Sequence, residues 1–217
     1  MQYKTLIFDL DGTLLNTITD LANAVNFALE KHGYPTHTEA AITRMVGNGV
    51  ELLVARALPR GTDNPDFFAV LSAFRTYYEE HKIDATAPYE GIAELLDALA
   101  PTGVPMAIVS NKFDAAVKEL AARFFPKTIR VAVGESETVA RKPAPDAVFA
   151  ALAALGVTAE GAVFIGDSEV DILTAKNAGL PILSVGWGFR TEADLIAAGA
   201  DRVFRTPAEL CEYLLAE

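Results

Sequence analysis

Short apolar runs alternate along the chain with stretches whose apolar residues recur at helical spacing. The runs at residues 4–9, 105–109, 130–133, 162–166 and 181–185 are nearly continuous. Strands covered on both faces have that pattern, because both sets of side chains leave water. A weaker run at 201–204 predicts an edge strand. Helical spacing predicts helices over 92–100, 115–123, 145–155, 171–178, 192–198 and 207–215. This alternation predicts an α/β fold, a Rossmann-like parallel sheet with helices on its faces.

Residues 16–84 break the alternation. Leu21, Ala24, Val25, Ala28 and Leu29 lie on one helical face, and Gly33 closes that helix. Val50, Leu53, Val54, Ala57 and Leu58 repeat the spacing, and Phe67, Val70, Leu71, Phe74 and Tyr78 approximate it. The reading is an all-helical cap (16–84) inserted into a catalytic core made of residues 1–15 and 85–217. An insert leaving directly after the first strand is either an extra packing layer or a mobile cover that excludes water from chemistry at the strand's end.

Ligands bind beyond the carboxyl ends of parallel strands, so chemistry is expected there. Asp9, Asp11, Gly12 and Thr13 end the first run, and Ser110, Asn111 and Lys112 end the second. RKPAPD, at residues 141–146, follows the third, and Gly166, Asp167, Ser168 and Asp171 follow the fourth. Asp9, Asp11, Asp167 and Asp171 crowd negative charge where burial makes charge costly. A hard divalent cation relieves that cost. Carboxylate oxygens with few His or Cys suit Mg²⁺, which keeps waters and takes a substrate phosphate as ligand. Ser110, Lys142 and backbone N–H groups supply donors for phosphate oxygens. The N–H groups of Asn111 and Lys112 are read as opening the next helix, which favours an anion further.

Composition narrows the partners. The chain has 217 residues, 51% of them hydrophobic, enough for a proper core. A formal charge of −11 and no Lys/Arg cluster argue against general nucleic-acid binding. Local cations and a metal still permit a small phosphorylated metabolite. No run approaches the roughly 20 apolar residues of a membrane span. The lack of a leader pattern and the single cysteine, Cys211, read as structural, lead to the expectation of a cytoplasmic protein, a monomer or homodimer. His32, His37 and His81 fall in the insert without metal-ligand spacing and read as surface or packing. Trp187, in GWGFR, reads as packing the loop after the fifth strand.

The four strand-end motifs resemble, in order, those of the haloacid dehalogenase superfamily. DLDGT is similar to its first motif, Ser110 to the second, Lys142 to the third and GDSEVD to the fourth. The resemblance runs over essentially the whole chain, including a helical cap after the first motif. It implies a phosphatase in which Asp9 is the nucleophile, forming an aspartyl-phosphate, and Asp11 the general acid and base. It implies Mg²⁺ on the Asp9 side chain, the Asp11 backbone carbonyl and Asp167. Asp171 would orient a metal water or Lys142, with Thr13 and Ser168 beside it. Ser110, Asn111 and Lys142 would hold the phosphoryl oxygens. Asn16 departs from the pattern: relatives often carry Asp there, followed by Ser where this chain has Thr17, so no role is carried over to it.

Dehalogenases proper need neither Mg²⁺ nor an acid at position 11. Phosphomutases of the superfamily tend to carry Glu-Asp where this chain has Gly166 and Asp167, which favours hydrolysis. A phosphomutase, a pyrophosphatase and a catalytically silent binder are the alternatives. The segment RMVGNGVELLVARAL, at residues 44–58, resembles the cap segment of phosphoglycolate phosphatases. Gly47, Asn48 and Gly49 there form a turn ahead of a helix N-terminus, suited to present N–H groups to a small carboxylate that Arg44 would pair with. Alternatively those glycines only cap two helices. The substrate expected is 2-phosphoglycolate or a similar small phosphorylated acid.

Overall fold

The structure, a computed structural model, describes residues 2–216. In chain order its main elements are β1 (Thr5–Phe8), β2 (Leu15–Asn16), α1 (Ile18–Lys31), α2 (Glu39–Met45), α3 (Val50–Ala57), α4 (Phe67–His81) and β3 (Ala87–Pro88). Then follow α5 (Ile92–Leu99), β4 (Met106–Phe113), α6 (Asp114–Phe124), β5 (Val131–Glu135), α7 (Asp146–Leu155) and β6 (Ala162–Gly166). The chain ends with α8 (Glu169–Ala178), β7 (Ile182–Val185), α9 (Glu192–Ala197), β8 (Val203–Phe204) and α10 (Pro207–Leu215). Two compact units emerge, one of Asn16–Ala87 and one of the chain up to Leu15 with everything from Pro88 onward. The chain leaves the second of these at β2 and returns to it at β3.

The larger unit is built on a six-stranded sheet of order β5-β4-β1-β6-β7-β8. The paired strands run parallel, as the continuous apolar runs predict. Leu6, Ile7 and Phe8 are fully buried, since β1 lies mid-sheet with helices covering both faces. One face packs Ile7, Ala107, Val109 and Phe164 against Val148, Ala151, Leu152 and Ala175. Phe8 sits level with Ile108 on β4 and Ile165 on β6. The residues that follow all three strands therefore emerge side by side, at the point where strand order reverses around β1.

The smaller unit is helical. On α1, Leu21, Ala24, Val25, Ala28 and Leu29 are buried, and α1 packs against α4 through this face. Gly33 ends α1 at φ +76°. Its left-handed backbone lets Tyr34 N–H reach the Leu29 carbonyl and Gly33 N–H the Glu30 carbonyl, closing the exposed turn. The sequence reading missed α2, which begins at Thr38, whose hydroxyl accepts the Ala41 N–H. Its single buried residue, Ile42, leaves too little apolar periodicity to register.

The structure corrects one boundary that matters for chemistry. The second strand does not stop at Val109. β4 runs on through Ser110, Asn111 and Lys112 to Phe113, with a register shift against β5 between Val109 and Phe113. The helix begins only at Asp114. Asn111 and Lys112 therefore do not open that helix, and their N–H groups are not its N-terminus. β-strand alternation instead puts Ser110 and Lys112 on one face.

Candidate active site

Four strand ends of the larger unit bring the predicted core residues together. Asp9 follows β1, Ser110 and Lys112 lie near the end of β4, Lys142 precedes α7, and Asp167 and Asp171 follow β6. Asp9, Ser110, Lys142, Asp167 and Asp171 are each buried, Asp171 completely.

Lys142 is the hub. Its ammonium donates to Asp9 Oδ1 at 2.6 Å and to Asp171 Oδ1 at 2.7 Å. Asn111 fixes the Lys142 backbone from both sides: its Oδ1 accepts the Lys142 N–H at 2.6 Å and its Nδ2 donates to the Lys142 carbonyl at 3.0 Å. The Asn111 side chain thus positions the Lys142 backbone. Asp171 Oδ2 accepts the Ser168 N–H and hydroxyl, at 3.1 and 2.6 Å. Ser168 is the N-cap of α8, so a reciprocal capping pair holds the acid that holds Lys142.

Asp11 has its own cation. Lys112 Nζ lies 2.9 Å from Asp11 Oδ1, and the Ser110 hydroxyl donates to Asp11 Oδ2 at 3.3 Å. Ser110 Oγ accepts the Lys112 N–H at 3.2 Å. The sequence reading used only the Lys112 backbone. Its side chain comes onto the Ser110 face only because the strand runs on to Phe113.

Asp167 is held by the loop after β7. Its Oδ2 accepts the Phe189 N–H at 2.7 Å, and its Oδ1 accepts the Thr13 hydroxyl at 3.4 Å. Gly12, at φ +93°, packs so closely that a Cβ there would stand 2.3 Å from Asp167 Oδ2. Gly166 is likewise required: its Cβ would lie 2.4 Å from Asp171 Cβ and Cγ. No glutamate fits ahead of Asp167 without displacing Asp171.

The electrostatics follow from burial. Burial raises the Asp9 carboxyl well above the usual carboxylate range, with Lys142 opposing and Asp171 and Asp167 adding to the rise. Burial and Asp171 push Asp167 up to about 7, against the Phe189 N–H and Lys142. Lys142 is raised above an ordinary lysine because Asp171 and Asp9 outweigh its own desolvation. Tyr89, which no motif marks, is raised by burial and by the fields of Asp167 and Asp11.

Oxygens of Asp9, Asp167 and Asp171 all lie within 4.8 Å of one another, a grouping able to hold a metal ion. The Lys142 ammonium bridges Asp9 and Asp171, and Lys112 pairs with Asp11, while among the described residues Asp167 has no ammonium in hydrogen-bond contact. An Asp167 carboxylate without an ammonium and the all-oxygen donor set fit a hard divalent cation.

Arg44, Gly47, Asn48 and Gly49 belong to the smaller unit. Arg44 is exposed in the last turn of α2. Gly47 and Gly49 have φ of +130° and +81°, and Gly49 is the N-cap of α3. Of the histidines, His37 Nε2 lies 2.8 Å from the Ala57 carbonyl and His81 Nδ1 lies 2.7 Å from Asp84. Among the described residues no helix is long and apolar enough to cross a membrane.

The chain was compared with known proteins. The family model for haloacid dehalogenase-like hydrolases matches residues 6–185. Phosphoglycolate phosphatase from Rhodospirillum rubrum is 36% identical, over 97% of this chain and 90% of the relative. N-acetylmuramic acid 6-phosphate phosphatase from Pseudomonas aeruginosa is 31% identical, over 99% of this chain and 96% of the relative. A crystal structure from Lactobacillus delbrueckii subsp. bulgaricus, of a protein proposed to be a phosphoglycolate phosphatase, has a TM-score of 0.95 and 36% identity over the whole of both chains. With its four motifs gathered at the strand ends of a parallel sheet, and with these relatives along its full length, the chain belongs to the haloacid dehalogenase-like hydrolases, as a phosphatase.

Proposed function

We propose that the protein hydrolyses small phosphorylated carboxylic acids, 2-phosphoglycolate first among them, through an aspartyl-phosphate on Asp9 with Mg²⁺ as cofactor. The observation that carries the reading is the buried Lys142 ammonium bridging Asp9 and Asp171, in a cluster where oxygens of Asp9, Asp167 and Asp171 lie within 4.8 Å of one another. Asp9, Asp167 and the backbone carbonyl of Asp11 would hold the ion. When bound it supplies positive charge to the phosphoryl oxygens.

This chain's residues divide the chemistry. Lys142 holds Asp9 by one oxygen and offers the phosphoryl group a cation. A carboxylate oxygen of Asp9 attacks phosphorus as the bond to the ester oxygen breaks, and Asp11 in its acid form gives that oxygen a proton. Water then attacks the phosphoenzyme. Asp11 takes its proton, the Asp9–phosphorus bond breaks, and phosphate leaves. Ser110, whose hydroxyl donates to Asp11 Oδ2 here, would turn that donor to a phosphoryl oxygen.

Both relatives' named substrates share one feature: each is a phosphate monoester that also bears a carboxylate. That supports an acid-bearing substrate. We assign its recognition to Arg44 and the turn at Gly47, Asn48 and Gly49, which carry an exposed guanidinium and two glycines at positive φ ahead of α3.

The test is Asp9→Asn with a panel of 2-phosphoglycolate, a sugar acid phosphate and p-nitrophenyl phosphate. The variant should fold and lose at least about 10³-fold in kcat/KM on every substrate. The wild type should favour the carboxylated esters. Retained turnover would remove Asp9 as nucleophile, and a flat profile would remove the carboxylate preference.

A further inference from the structure

We infer that the loop at residues 186–190 forms a wall of the metal centre, and that Trp187 is the positioning residue which ties that loop to the one carrying Asp9 and Asp11. This rests on the metal reading above. It concerns residues outside the four motifs.

Four fastenings make the case. Phe189 N–H donates to Asp167 Oδ2 at 2.7 Å. The Trp187 indole N–H donates to the Thr13 carbonyl at 2.9 Å. Gly188 lies against both loops at once: a Cβ there would stand 2.3 Å from the Gly12 carbonyl oxygen and 2.4 Å from Asp167 Cβ and Oδ2. Arg190 reaches Glu169 with Nε at 2.8 Å and Nη2 at 3.3 Å, anchoring the loop's far end at the start of α8. A loop that merely covered the sheet end would not need to bond both Asp167 and the backbone of the loop that carries Asp9 and Asp11.

The physical consequence concerns spacing. The ligands come from two separate strand ends, after β1 and after β6. Mg²⁺ demands near-ideal octahedral geometry and tolerates little drift between them. Outer hydrogen bonds that fix ligand orientation are typically worth 10–100-fold in metal affinity. The bond from Trp187 is one that a phenylalanine removes while the aromatic bulk stays.

The experiment is a Mg²⁺ titration of melting temperature for wild type and Trp187→Phe. The variant should need about tenfold more Mg²⁺ for the half-maximal rise. Its KM for p-nitrophenyl phosphate at saturating Mg²⁺ should stay within about twofold of wild type, since no substrate contact is removed. A Mg²⁺ midpoint unchanged in Trp187→Phe overturns the inference while leaving the metal reading intact. A wild type whose melting temperature ignores Mg²⁺ overturns the metal reading itself. Trp187 is the sequence's one tryptophan, so wild-type emission gives an independent readout if the variant fails to fold. Emission should change with Mg²⁺ at the midpoint of the thermal titration and stay flat in Asp167→Asn. Emission blind to Mg²⁺ in a wild type that the ion stabilises overturns the inference.

Discussion

Lys142 is almost wholly buried yet faces two carboxylates that are as buried as itself. Such a triad contributes little when intact, because desolvation offsets attraction, but removing its cation is severe. Lys142→Met should therefore lower the metal-free stability by about 3 kcal/mol at pH 8, measured by urea unfolding. The loss should shrink below pH 6. Without Lys142, Asp9 has only raising influences left and takes up a proton, which relieves the repulsion. A loss of equal size at both pH values would show that packing, not charge, is what Lys142 supplies. At this scale the site was only partly legible. Asp9, Asp11 and Asp167 stand out because charge at the end of an apolar run is anomalous. Trp187 does not, since its work is done by an indole N–H on a backbone carbonyl 174 residues away in sequence.

Elements were legible in proportion to the apolar surface they bury. The sheet strands bury both faces and announce themselves. α2 buries Ile42 alone and is held by its Thr38 cap, so it escaped notice. The end of β4 was misplaced because Ser110, Asn111 and Lys112 look like a turn, although all three are buried in extended backbone. Asp20 shows the same blindness within the helical unit. It lies on the buried face of α1, and its carboxylate accepts the N–H groups of Ala85 and Thr86 and the Thr86 hydroxyl, the last at 2.7 Å. Those bonds fix the backbone just before β3. Asp20→Ala strands these donors and should cost about 3 kcal/mol in urea unfolding of the whole chain. Asp20→Asn keeps one acceptor oxygen and should recover a substantial part. A cost below about 1 kcal/mol for the alanine variant would mean that water replaces the carboxylate there.

At the scale of the molecule, the site gathers buried carboxylates, and a cation held there as proposed would tie stability to pH and metal together. Asp9 and Asp167 both have folded pKa values above those of the unfolded chain, Asp167 at about 7. Between roughly pH 4 and 7 the folded state therefore holds more protons than the unfolded one, and metal-free stability falls as pH rises through that window. Lys142 is raised as well, so it is charged in both folded and unfolded states below about pH 10.5 and adds no proton uptake of its own across this window. If Mg²⁺ enters this cluster as proposed, it competes with protons for carboxylates whose pKa values are raised, Asp167 to about 7, so it should bind less well at pH 6 than at pH 8. At one fixed Mg²⁺ concentration, the rise in melting temperature over a chelator control should be larger at pH 8 than at pH 6. At about 100 times the dissociation constant the stabilisation amounts to about 2.7 kcal/mol. Ca²⁺, which takes more ligands at longer distances, should give a different increment from Mg²⁺ if the ion enters the cluster, because its preferred geometry differs. An increment independent of pH would place the ion away from Asp9 and Asp167, and the acidic cluster would then have to be explained by its protons alone.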